Sequence, residues 1–231
     1  MEPDNDLAGF FKVTADTLVL AGLVGLLGAA VCALSDIVLL YKPIDGKTYY
    51  RDPIEVMVKM SNRRLVWGGA LGVVSLPLAV LGLFQVYYML APAGQWLALP
   101  PVLLLGWMFI MGCASHGAWA FMGHIYRTRR GNPTAAMTTL AKDAHVIWNV
   151  LLRASGVAYL CGSLWLAVAI VVGPTLYPTW FVLLNPLILY FAQEALTRNL
   201  PAPFGGLWAP ITSNLVWVIF YPVSTALYTA T

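Results

Sequence analysis

The sequence predicts an all-α membrane protein: a polytopic bundle of six transmembrane helices, formed as one domain over residues 1–231. Three observations carry this reading. The chain is 60% hydrophobic, with a mean hydropathy of +0.76. Only 10% of its residues are charged, against about 25% in soluble domains. Its apolar residues also gather in runs that reach the roughly 20 residues a helical span needs. Lipid supplies no hydrogen bonds to an open backbone, so continuous runs of this length become helices.

In chain order the spans are expected at about 17–41, 65–91, 97–125, 144–172, 178–197 and 207–229. Acids precede the first run, and it exceeds the ~7–15 residues of a signal-peptide core, so it is expected to stay as a span. Between the first two spans lies "KPIDGKTYYRDPIEVMVKMSNRR" (42–64), where Asp52 before Pro53 marks the start of a short interfacial helix. Gly68, Gly69 and Gly72 in span 2, and Gly112, Ala114 and Gly117 in span 3, permit close helix approach. Pro77, Pro186 and Pro222 are expected to bend their helices. "NLPAPFGGLWAP" (199–210) reads as a turn into the last span. Trp67, Tyr88, Trp96, Tyr126 and Trp180 fall near span ends, where amphipathic rings settle. Cys32, Cys113 and Cys161 are odd in number and far apart, so they read as small core residues and not as a disulfide framework. No repeat relates spans 1–3 to spans 4–6.

Charge placement sets the expected orientation. The first connection holds Lys42, Lys47, Arg51, Lys59, Arg63 and Arg64; the third holds Arg127, Arg129, Arg130 and Lys142; the fifth holds Arg198. "APAGQW" and "GPTLYP", the second and fourth, hold no lysine or arginine. The positive-inside rule then puts the odd connections in the cytoplasm and both termini outside, in keeping with the acidic start at Glu2, Asp4 and Asp6. Topology accounts for the basic patches, so nucleic acid is not an expected partner; membrane lipid is.

Ionisable groups inside spans are costly and mark functional sites. Counting ~1.5 Å per residue, Asp36, His116, Arg153, Glu194 and Asn214 all fall in the half of the bilayer nearer the basic connections, or at its midplane. His145, Asn149 and Arg153 share one stripe of span 4, and an Arg153–Asp36 or Arg153–Glu194 pair would answer the need of a desolvated charge for a partner. The site predicted from these positions has His116 as general acid/base with Asp36 or Glu194 as proton partner. Arg153, Asn149 and Asn214 hold the polar end of the substrate, while Trp119, Trp148 and Trp217 wall the apolar part and face a cationic intermediate. His124 lies near the headgroups and needs no further role. The three histidines show no H-x-x-x-H spacing, so neither a metal nor any other cofactor is expected from them.

"SDIVLLYKP", the Arg-rich entry to span 2, "SHG", "LNPLI" and "LPAPFGGLWAPITSNL" together resemble a family of uncharacterised bacterial six-span membrane proteins. That resemblance implies a bacterial cytoplasmic membrane and supplies no activity. "NLVWVIFYP", with Asn214, Trp217 and Pro222, is similar to the Asn-x-x-Trp segment of the EXPERA sterol-isomerase-like membrane proteins. This likeness implies a helical histidine and nearby acids working beside that Asn and Trp on a sterol within the bilayer. The chain departs from the pattern in two places: its proline is one position late, and Ala120 stands where an acid would follow His116 by one turn.

The function expected from these residues is a membrane-embedded enzyme acting on a lipid or isoprenoid-like molecule by His/carboxylate acid–base chemistry. The alternatives are a small-solute or lipid carrier or binding protein, and a structural partner in a membrane assembly. No G-x-S-x-G, phosphate-binding loop or dinucleotide fingerprint is present, so serine hydrolysis, ATP hydrolysis and NAD chemistry have no motif behind them.

Overall fold

A computed structural model describes residues 14–51 and 53–230; the acidic start and Asp52 lie outside the described residues. In chain order the helices are α1 (Ala15–Leu40), α2 (Gly46–Arg51), α3 (Pro53–Val58), α4 (Asn62–Leu90), α5 (Gln95–Gly131), α6 (Ala135–Val172), α7 (Pro186–Arg198), α8 (Phe204–Trp208) and α9 (Thr212–Ala230). The described residues contain no strand. Local chemistry sets the helix starts. Thr14, Ser61 and Thr134 each accept a backbone N–H three residues on, capping α1, α4 and α6. Gly94, with φ of 86°, makes the tight reversal from α4 into α5 that a side chain would strain.

Five segments are long and apolar enough to cross a membrane: Ala15–Leu40, Asn62–Ala93, Gln95–Gly131, Ala135–Val172 and Phe204–Ala230. The expected span at 178–197 is not one of them. It divides into a 3-10 turn, Thr179–Leu184, and the 13-residue α7. Pro186 is the physical cause. Its ring holds the preceding residue in extended conformation, and Asn185 sits at ψ 133°. Pro186 therefore opens a helix where a bend was expected, and Asn185 caps it by accepting the Leu187 N–H. At ~1.5 Å per residue, α7 spans only about 20 Å. The segment nonetheless runs the length of the bundle. At one end Leu176 N–H donates to Met89 C=O, and Tyr177 is hydrogen-bonded to Ser224. At the other, Gly46 N–H donates to Leu200 C=O.

Helix α1 is the centre of the packing, antiparallel to both α4 and α9. A Cβ on Gly28 would lie 2.5 Å from Ala79 N, and one on Gly25 would lie 2.7 Å from Gly82 Cα. Gly68 brings α4 equally close to the Leu39 backbone, and Gly72 leaves room for the His116 ring. Gly112 and Gly117 meet only side chains at ordinary contact distance, so span 3 uses its glycines less than expected. Arg64, at the start of α4, donates to the carbonyls of Ile37, Val38 and Tyr41. It satisfies the open end of α1 and complements its dipole. The short α2 and α3 close this basic end, with Met57 and Tyr49 buried beneath them. Of the cysteines only Cys32 is buried; Cys161 is exposed on the flank of α6, contrary to the core role expected of it.

This α1–α4 contact gives a direct test. Gly28→Ala should lower stability in lipid nanodiscs by about 1–3 kcal/mol through overpacking, read as a lower melting temperature. Gly156→Ala, which meets no heavy atom within 4 Å, should melt like the parent.

Candidate functional site

Asp36 lies in the last turns of α1, buried between α5 and α9. Its Oδ1 is 2.8 Å from His116 Nε2, and its Oδ2 accepts a 2.6 Å hydrogen bond from Asn214 Nδ2. Three helices thus converge on one carboxylate. Ser35 Oγ donates to the Gly68 carbonyl and stands 3.4 Å from His116 Nε2. The side chains of His116 and Asp36 are only 11% and 9% exposed. His116 Nδ1 is buried without a partner among the described residues. Nε2 is thus the ring atom that meets the carboxylate.

These groups form the floor of a cavity of about 650 Å³. Its walls are apolar and aromatic. Trp119 and Trp148 pack with ring centroids 4.2 Å apart, and Trp217 lies 4.8 Å from Phe109 and 6.4 Å from Tyr159. Several of its lining residues on α6 and α7 are exposed. Helices α6 and α7 are tied where Asn185 Nδ2 donates to the Ser163 carbonyl and Tyr159 Oη donates to the Pro186 carbonyl. Toward the basic end from that tie, exposed Leu152 and Gly156 on α6 and exposed Phe191 on α7 line the cavity. Tyr50 of α2 and Tyr190 also line it, and Arg198 stacks over the Tyr50 ring at 4.6 Å. Burial raises the phenol pKa of both Tyr49 and Tyr50 above the ordinary tyrosine value, so both stay neutral.

Six of the expected site residues meet here: His116, Asp36, Asn214, Trp217, Trp119 and Trp148. Three do not. Arg153 is exposed and makes no ion pair among the described residues; Asp36 is engaged by His116 and Asn214 instead. Its neighbour Leu152 faces the cavity, and one residue on a helix is a turn of about 100°. Asn149 is half-buried and outside the lining. Glu194 pairs with Arg198 at 2.6 Å, one turn along α7, and does not reach Asp36. Sequence reasoning passed over Cys32 as core filler, although its i, i+4 spacing to Asp36 puts both on one helix face. Tyr159 and Tyr190 left no such signal.

A family model matches residues 11–231. The chain belongs to DUF6796, a family of unknown function. Membership in DUF6796 covers all the helices described and assigns no chemistry to them. No curated protein and no solved structure is significantly similar to the chain.

The geometry separates two variants. Asn214→Ala removes the donor to a buried carboxylate oxygen and should destabilise the protein by about 1–3 kcal/mol. Arg153→Met should leave melting within about 0.5 kcal/mol of the parent. A large loss for Arg153→Met would restore the charge pairing expected from sequence.

Proposed function

We propose that the protein is a membrane-embedded enzyme acting on a lipid or isoprenoid-like substrate, with His116 as general acid/base and Asp36 as its proton partner. One observation carries the reading: a titratable pair sits at the floor of an apolar cavity with exposed lining residues on α6 and α7, a mouth that hydrocarbon would surround. The volume lies within the 300–1,000 Å³ usual for ligand pockets. A substrate arriving sideways would place its chain against Phe109, Trp148 and Trp217 and its reacting end at His116. Trp119 Nε1–H, buried with no partner among the described residues, is a free donor for a polar group of that substrate. Asn214 holds the Asp36 carboxylate in place, and Asp36 in turn orients the imidazole. The Trp217 face is suited to a developing positive charge.

In the bilayer, we propose that the broken segment 177–200 is the sixth crossing. Both termini then lie on one side and the basic connections on the cytoplasmic side of a bacterial membrane, as the lysine and arginine placement requires. A carrier or binding protein would use the same cavity. Catalysis is favoured because the cavity lining brings a histidine and a carboxylate into direct contact, the pair that acid–base chemistry needs.

A lipid-profiling experiment tests this with the substrate still unidentified. Protein in nanodiscs is incubated with a total bacterial lipid extract, and the lipids are profiled by mass spectrometry. One species should change with the parent, change at least about 100-fold more slowly with His116→Ala, and fail to be retained by Gly156→Trp, which blocks the mouth. A profile identical with parent and His116→Ala would rule out the enzyme. Retention without conversion would favour the carrier.

A further inference from the structure

We infer that Cys32, Asp36 and His116 form a binding site for a thiophilic divalent cation of the zinc class. Each offers one ligand atom, and the three atoms lie within 4.8 Å of one another. Cys32 and Asp36 stand one turn apart on the buried face of α1, while His116 comes from α5. Cysteine sulfur, imidazole nitrogen and a carboxylate oxygen make a donor set that suits Zn²⁺, and three protein ligands leave the fourth position open. Here that position faces the cavity, since all three residues line it.

Charge balance points the same way. Among the described residues Asp36 is hydrogen-bonded to His116 and Asn214, and no lysine or arginine pairs with it. A buried carboxylate with no lysine or arginine to balance it is costly in a low-dielectric interior. A divalent cation bound by a thiolate, a carboxylate and a neutral imidazole makes the cluster neutral. The Cys32 thiol gives its proton to bulk solvent as the metal–sulfur bond forms, and His116 binds through Nε2 as the tautomer that carries its one proton on Nδ1. Asn214 stays on Oδ2, holding the carboxylate while Oδ1 turns to the metal.

The site stands independently of the lipid reading, because it needs only these three side chains. Where that reading also holds, metal occupies the His116 Nε2 and Asp36 Oδ1 used for proton transfer, so loaded protein would be inactive in acid–base chemistry.

Chelator-stripped protein in nanodiscs is titrated with Co²⁺ as an optical stand-in for zinc. One equivalent per chain should give a thiolate-to-cobalt charge-transfer band with tetrahedral visible bands, and Zn²⁺ should bleach both. Cys32→Ser should abolish the charge-transfer band, and Asp36→Asn should weaken binding at least about tenfold. A chain retaining Cys32 as its only cysteine should keep the full spectrum, which guards against a folding defect in Cys32→Ser. No band with the parent, or a band that survives Cys32→Ser, would overturn the inference. The readout is optical, so failure here leaves the lipid assay standing, and failure of that assay leaves this result untouched.

Discussion

Everything in this fold is arranged around one carboxylate. Asp36 is buried, and it is held on one oxygen by His116 and on the other by Asn214. A buried carboxylate left without partners would neutralise or destabilise the bundle. The partners come from α5 and α9, so the requirement fixes where those helices stand against α1. The small residues follow from it. Gly72 must lack a side chain for the His116 ring to lie against α4, and Gly28 and Gly68 let α4 press close enough for that ring to reach across. Arg64 satisfies the carbonyls that end α1 one turn beyond the carboxylate, fixing the register in which Asp36 is presented.

The break at Pro186 adjoins the cavity, whose lining includes Leu187, Tyr190 and Phe191 of α7. A continuous helix over 178–197 could pack along the whole of α6. Because Asn185 and Pro186 end the 3-10 turn and anchor to Ser163 and Tyr159, α7 starts a new direction there. The exposed apolar residues Leu152, Leu160 and Phe191 flank the resulting space, and in water they would be a liability. Against hydrocarbon they cost nothing. The lipid-like substrate proposed for the cavity rests on this pairing of a polar cluster with exposed apolar walls.

Much of this was legible in the sequence, and the failures have definite causes. The five long apolar helices follow from transfer energetics, which act residue by residue. Depth along a helix was also legible: the fixed rise put His116, Asp36 and Asn214 in the same half of the bundle, where their side chains meet. Direction around a helix was not. Arg153 has the right depth and the wrong face, since one residue's rotation separates it from Leu152, and only the neighbours decide which face turns inward. Glu194 was claimed by Arg198, a local i, i+4 partner that the sequence displayed and that outcompeted a distant one. The fifth span is not one continuous helix because an Asn-Pro pair was weighed as a bend, when the restriction on the residue before proline ends the helix outright.

The central claim is that His116 and Asp36 act as one buried unit, and a double-mutant cycle in metal-free nanodiscs tests it most directly. Unfolding is measured for the parent, His116→Ala, Asp36→Ala and the double variant. The account predicts strong non-additivity, with a coupling energy of about 1–3 kcal/mol between the two positions. Losses that simply add, leaving no coupling beyond the ~0.3–0.5 kcal/mol expected of independent sites, would contradict it.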